Sequence, residues 1–345
     1  MPIQHDLRRI LEFRETLSFK DASALMQKLL ASEASDVEIA ALLGALAARG
    51  ETADELAGFA TALRSAANPL PLSNIEQDTL VDTCGTGGDA SNSFNISTAA
   101  ALVASAAGAK VAKHGNRAIT SRCGSADVLE ALGIPVNLSP TQAAESLREY
   151  NFCFLLAPAH HPQLKALMPV RKALGVRTIL HVLGPLLNPA GARRQVMGVY
   201  HARLVPLVAK AMLLLDIRHA MVVHGDGNSA SGLSGLDEIA LSGPTEIAEI
   251  RDGKISQHLI SPEDFGLHRA PLTALAGGNA TDNALILKSI FSGVRGPCRD
   301  VVLLNAAAVL VTSGKATSLH TGITLAASAL DSGSVTRLVE ALQIN

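Results

Sequence analysis

The sequence has no tryptophan, and aromatic residues make up only 3% of it. A core must therefore be built from aliphatic side chains, and the abundance of alanine makes that core largely helical. Cysteine is scarce. Cys84, Cys123, Cys153 and Cys298 are widely scattered, which excludes a zinc ribbon and a disulfide scaffold and reads as free thiols in a cytoplasmic protein. Neither sign of charge dominates: the net charge is −2. That argues against a dedicated nucleic-acid or membrane surface, so neither partner is expected. No apolar stretch is long and pure enough to cross a bilayer. The segment VVLLNAAAVLVTSG is too short and reads as a buried helix. The opening MPIQHDLRRILEF lacks the hydrophobic core of a signal peptide. There is no HExxH, no GxSxG and no GK[ST] after a glycine loop, so zincin, nucleophile-elbow and P-loop chemistries have no support.

What is present is an α/β pattern behind a helical start. The chain has 345 residues, 48% of them apolar, enough for two domains. Residues 1 to about 70 read as helical. Ser18 is placed to cap a helix bearing Leu25, Met26, Leu29 and Leu30. Ser35 with Glu38, and Thr52 with Glu55, form capping boxes ahead of apolar stripes. Three short helices make a poor core alone, so they must pack on the rest of the chain or on a second subunit. Asn68-Pro-Leu-Pro-Leu reads as a linker and hinge. From Asp78 onward, strands at Thr79 to Asp82, Lys110 to Ala112, Val136 to Leu138, Phe152 to Ala157, Gln195 to Tyr200 and Ala220 to His224 alternate with helices. This predicts a mostly parallel sheet covered on both faces. Ser139-Pro140 starts a helix, a hairpin turns at Asp252-Gly253, and helices are expected over roughly 281–292, 298–313, 319–331 and 334–342. GDGNSASGLSG (225–235) reads as a mobile loop.

The chemistry concentrates between Val81 and Asp127. Gly85, Gly87 and Gly88 leave room for successive backbone N–H groups to converge on an anion. Asn95, Ile96, Ser97 and Thr98 then open a helix whose free N–H groups suit phosphate. Lys113, His114, Asn116 and Arg117 follow the next strand. A tight surface turn could explain the glycines alone, but their combination with the helix start favours a site for a phosphorylated small molecule. Further on, His160 and His161 precede Pro162 at a helix start. Arg171 is placed ten residues after His161 on the same helix, either as a carboxylate fork or in a surface salt bridge. Gly184-Pro185 and Asn188-Pro189 form a rigid turn able to shape a flat pocket. Asp237-Glu238 are adjacent acids, suited to Mg²⁺ beside phosphate or else simply exposed, and Asp89 is a weaker candidate. His181 and His224 read as packed or solvated.

These segments together resemble the anthranilate phosphoribosyltransferase family. The likeness runs over nearly the whole chain and is densest at DTCGTGGD (82–89), NIST (95–98), KHGNR (113–117), CGSADVLEALG (123–133), HP…VRKALGVRT (161–178), GPLLNP (184–189), LDE (236–238) and GPCRDVVLLNAA (296–307). The resemblance implies an α/β fold with a small N-terminal helical domain and a larger domain whose mostly parallel sheet is flanked by helices. It divides the chain into residues 1–72, completed by helices from the 160–195 region, and residues 73–345. It implies that Gly85, Thr86, Gly87, Gly88, Asp89, Asn95, Ser97, Thr98, Lys113 and Ser125 bind phosphoribosyl pyrophosphate (PRPP). Ser97, Asp237 and Glu238 would organise Mg²⁺, two ions per subunit. Asn116, His161, Arg171 and Gly184 would line the anthranilate site. Lys113, Asn116 and Arg171 would act by positioning and charge compensation, without a covalent nucleophile. A homodimer through the helical domain is also implied. The competing readings are a pyrimidine nucleoside phosphorylase of related fold and a non-enzymatic nucleic-acid-binding relative. Two departures stand out: the loop before Leu236 is longer than the family's usual turn, and Leu180-His181 replaces a common Phe-Asn.

Overall fold

The computed structural model describes residues 3–118, 122–227 and 235–343. Four helices, Gln4–Leu11, Phe19–Leu30, Asp36–Arg49 and Ala53–Ser65, open the chain. The first was not expected from the sequence. It is short, but buries Leu7 and Ile10 on one face and ties Asp6 to Lys28 at 2.8 Å. Ser18 accepts from the Asp21 N–H, and both predicted capping boxes are formed. Glu55 does more than cap. Its fully buried carboxylate accepts from the Thr52 and Leu17 N–H groups at 2.9 Å each and, on its two oxygens, from Arg49 Nη2 at 2.5 and 2.6 Å. Three donor groups thus compensate one buried charge.

The sheet has seven strands: β1 (Leu80–Gly85), β2 (Lys110–Gly115), β3 (Phe152–Leu156), β4 (Arg194–Gly198), β5 (His219–Gly225), β6 (Thr245–Arg251) and β7 (Lys254–Ile260). Their order is β3-β2-β1-β4-β5-β6-β7. The first five are parallel, and the predicted hairpin adds β6 and β7 antiparallel. Alternation of side chains sends the two faces to different cores. Val196, Met221 and Val223 pack with the helices Ile96–Ala106 and Pro297–Ser313. Met197, Val199, Ala220 and Val222 pack with the N-terminal helices and with Leu167 to Leu187. The C-terminal helices, Ala280–Phe291, Pro297–Ser313, Leu319–Asp331 and Ser334–Gln343, match expectation closely.

Two expectations fail. Val136 to Leu138 is not a strand. Val136 is buried in the core, but Pro135 has no N–H to give a ladder, and the segment runs as loop. His161 and Arg171 do not share one helix. Ala157–His160 ends before Pro162, a 3₁₀ turn covers Pro162–Ala166, and a separate helix, Met168–Leu174, carries Arg171 to a left-handed Gly175. The predicted mobile loop at 225–235 lies for the most part outside the described residues.

Candidate active site

In a parallel sheet, ligands favour the carboxyl ends of the strands where the connection order reverses. Here that point lies between β1 and β4, because the chain runs outward from β1 to β3 and then returns to β4 and β5. Gly85 ends β1 and Gly198 ends β4, opposite each other. A Cβ at Gly85 would lie 2.2 Å from Asp237 Oδ2, and one at Gly198 would lie 1.5 Å from the Asp237 carbonyl oxygen. Both glycines therefore exist to admit the acidic segment. Gly87 and Gly88 have φ of +66° and +75°, which turns the loop as the sequence suggested.

The Gly87 N–H donates to Asp237 Oδ2 at 2.7 Å, and the Ser97 N–H, in the first turn of Ile96–Ala106, donates to Glu238 Oε1 at 3.0 Å. The Asp237 N–H reaches Asp89 Oδ2 at 3.3 Å. Lys113 is buried, and its Nζ donates to the Thr83 carbonyl at 2.5 Å and to Ser97 Oγ at 3.2 Å. The structure thus brings Gly85 to Asp89, Ser97, Lys113, Asp237 and Glu238 together. Thr86 is fixed by backbone partners: its N–H donates to Gly198 and its hydroxyl accepts from Tyr200. Asn95 sits at the helix start, held by Asn283 and Cys123. Thr98 is fully buried with no partner for its hydroxyl. Ser125 starts the helix Ser125–Ala131 next to Gly115.

The acidic segment carries more negative charge than its surroundings neutralise. Burial, with Asp89 and Glu238 nearby, holds the Asp237 carboxyl well above the ordinary range. Burial also raises Glu238 to about 7, although Lys113 and the Ser97 N–H oppose the shift. Clustered oxygen donors of this kind fit a hard divalent cation. A second set of donor atoms, on Asp82, Cys84 and His114, lies within 4.8 Å of one another. Its chemistry differs. His114 Nδ1 meets Asp82 at 2.6 Å and Nε2 meets the Gly184 carbonyl at 2.9 Å, while burial raises the Cys84 thiol. Both ring nitrogens are therefore engaged, and Mg²⁺ suits the acids better.

The acceptor side is looser. Arg171 is half-buried, and among the described residues its guanidinium has no hydrogen-bond or ion-pair partner; burial lowers its pKa. Asn116 is exposed and accepts from the Arg117 N–H. His161 is buried and bonded to the Leu187 carbonyl at 2.7 Å. Sequence reasoning missed Asp82, Gln195, Arg64 and the Arg177 guanidinium, which lies 4.3 Å over the Tyr200 ring and bonds the Gly88 carbonyl. A lone arginine on an apolar helix face (Arg64) was the one legible signal among them. A separate cavity of about 200 Å³ beside β3, lined by Gln142, Glu145 and Tyr150, involves none of these groups.

The pairing of a helical bundle with a sheet that places glycine loop, lysine and acids at one switch point defines a glycosyl transferase of two-part build. Family models agree: residues 6–67 match the "Glycosyl transferase family, helical bundle domain" and residues 77–336 the "Glycosyl transferase family, a/b domain". The anthranilate phosphoribosyltransferase of Brevibacillus brevis is 50% identical over 92% of this chain and 91% of its own. That of Solibacter usitatus is 47% identical over 99% and 98%. The Thermus thermophilus enzyme structure superposes with a TM-score of 0.89 at 40% identity, covering 98% of both chains. The Saccharomyces cerevisiae enzyme, solved in complex with PRPP and Mg, gives 0.85 at 28% identity over 98% and 96%. The chain belongs to the anthranilate phosphoribosyltransferase family. Metal involvement follows in general terms from the donor groups here and from that Mg-bound relative. Among the described residues, no helix is long and apolar enough to cross a membrane.

Proposed function

We infer that this chain transfers the 5-phosphoribosyl group from PRPP to the amine of anthranilate, giving N-(5-phosphoribosyl)anthranilate and pyrophosphate in tryptophan biosynthesis. The observation that carries this reading is the convergence of the Gly85–Asp89 loop, the Ser97 helix start, Lys113 and Asp237-Glu238 at the strand switch point. PRPP binds there with its phosphates toward the loop and helix N–H groups. Ser97, Asp237 and Glu238 would hold Mg²⁺, two ions per subunit, with Asp89 alongside, and would thereby supply positive charge for the pyrophosphate leaving group. Lys113, anchored by Thr83 and Ser97, places an ammonium where negative charge grows as the C1–O bond breaks. C1 gains oxocarbenium character and the aromatic amine attacks. That amine is neutral near pH 7, so no strong base is needed first. Arg171 takes the anthranilate carboxylate through its fork, while Asn116, His161 and Gly184 border the path. Thr98 is fully buried and acts by packing the helix start.

The two cores support a division into a bundle of residues 1–72 completed from 160–195, and an α/β unit of 73–345. Leu167 to Leu187 pack with the N-terminal helices. Closure of one unit on the other would exclude water from the oxocarbenium-like state. Leu11, Phe13 and Val37 are exposed on the bundle, which supports a homodimer through that surface. Four free cysteines accord with a cytoplasmic location. Incubation with PRPP, anthranilate and Mg²⁺ should yield the phosphoribosylated amine by mass spectrometry. Phosphate-dependent release of thymine from thymidine, with no such product, would assign the chain to nucleoside phosphorolysis instead.

A further inference from the structure

The GPLLNP turn presents a row of backbone carbonyls, and each is taken by a different side chain. His114 Nε2, from β2, meets the Gly184 carbonyl at 2.9 Å. Gln195 Nε2, from β4, donates to Pro185 at 2.6 Å. Arg64 Nε, from the helix Ala53–Ser65, donates to Leu186 at 2.6 Å. His161 Nε2 meets Leu187 at 2.7 Å. The side chain of Asn188 completes the series by donating to the Ala112 carbonyl at 2.8 Å and accepting from the Ala190 N–H at 2.9 Å.

The need for these donors is physical. The turn follows the helix Ile179–Leu183 and a 3₁₀ segment, Gly184–Leu186. The last carbonyls of a helix have no partner within it and carry its negative end. Pro185 and Pro189 cannot donate, so the turn has few bonds of its own. Buried carbonyls left bare would be costly. Asp82, buried on β1, orders the sheet side: its Oδ2 accepts from His114 Nδ1 at 2.6 Å and from Gln195 Nε2 at 3.2 Å. A histidine that bonds a carboxylate with one nitrogen and a carbonyl with the other donates at both, and Asp82 favours that charged form. Among the described residues Arg64 forms no ion pair, and burial lowers it only to about 10, so it remains a guanidinium.

We propose that Arg64, His114, Gln195 and His161 are positioning residues that form a carbonyl cradle fixing the GPLLNP turn, and through it the acceptor-amine pocket. The proposal rests on the reading above that Gly184 borders the acceptor site. Two of the donors come from the sheet, one from the bundle and one from the segment after β3. The turn is therefore a joint that registers the bundle against the phosphate half of the site. Within the cradle His161 acts through the Leu187 carbonyl.

The test uses the full chain with Arg64→Met, Arg64→Lys and Gln195→Met. Deuterium exchange of the 183–192 peptide is measured without substrates, and KM is measured separately for anthranilate and PRPP. The cradle predicts faster exchange in Arg64→Met and Gln195→Met, with anthranilate KM raised about tenfold and PRPP KM within twofold. Arg64→Lys, which keeps a donor, should fall between and remains readable if Arg64→Met does not fold. Unchanged exchange in all three variants overturns the cradle. Faster exchange with unchanged anthranilate KM overturns its role in the acceptor pocket. Equal rises in both KM values would show a merely structural role and also overturn it. If the unaltered chain does not turn anthranilate over, the functional reading fails on its own, while the exchange arm still decides the cradle.

Discussion

Lys113 is the residue on which the charge balance turns. It is buried, yet among the described residues it meets a carbonyl and a hydroxyl and no carboxylate at ion-pair distance. A buried ammonium so placed makes sense as a charge held for an incoming anion. Lys113→Met should lower kcat by about 100-fold or more while the melting temperature stays within a few degrees; a fall in stability with kcat retained would make the lysine structural. His161 offers a pH signature. Burial depresses it to about 4, with His114, His160 and Arg64 adding repulsion against its charged form. A histidine kept neutral in the fold contributes stability that is present above its ordinary value near 6.5 and is lost as pH falls toward 4. The shift corresponds to roughly 3 kcal/mol at most. Urea midpoints between pH 7 and 4 should fall steeply for the unaltered chain and more gently for His161→Gln, which keeps a donor. Parallel slopes would remove His161 from the acid sensitivity. His114 has the opposite sign, since its raised value means its contribution is full at low pH and fades as pH rises through its folded value.

At the scale of elements, local rules did most of the work. The capping boxes at Ser35 and Thr52, the Ser139-Pro140 start, the Asp252-Gly253 hairpin and four C-terminal helices were legible because each is written within a few adjacent residues. The glycine loop and the Ser97 helix start were legible for the same reason. What was not legible depends on partners distant in sequence. Gly198 looks like an ordinary strand-end glycine until Asp237, far along the chain, is laid against it. Arg64 and Gln195 gain meaning only when the turn at 184–188 is brought to them. Prolines at 162 and 169 break the segment from Pro162 to Arg171 that was expected to form one helix. Glu55 was visible as a cap but not as a buried hub. Glu55→Ala leaves the Arg49 guanidinium without its carboxylate and Leu17 N–H without an acceptor. The loss should be about 3 kcal/mol, read as a lower urea midpoint. A change below about 1 kcal/mol, the usual worth of a cap alone, would refute the hub.

Among the described residues three apolar clusters share one sheet, and the turn at 184–188 packs with the cluster of the N-terminal helices. The bundle side also carries exposed Phe13, 67% accessible, as well as exposed Leu11 and Val37. If that surface joins two copies, Phe13→Asp should shift the mass in light scattering from dimer to monomer with little loss of helix; an unchanged mass would place any dimer interface elsewhere. The acidic segment, Lys113 and the glycine loop face the sheet's carboxyl edge, and Arg171 approaches from the bundle side of the fold. On the proposed reading, charge for the leaving group and a fork for the acceptor would come from different parts of the chain. The most direct test follows pyrophosphate release and loss of anthranilate fluorescence together, with PRPP and Mg²⁺, in the unaltered chain and in Arg171→Ala. The account predicts one pyrophosphate per anthranilate consumed, no release without anthranilate, and a higher anthranilate KM in the variant. Pyrophosphate release independent of anthranilate, or no turnover by the folded protein, would contradict it.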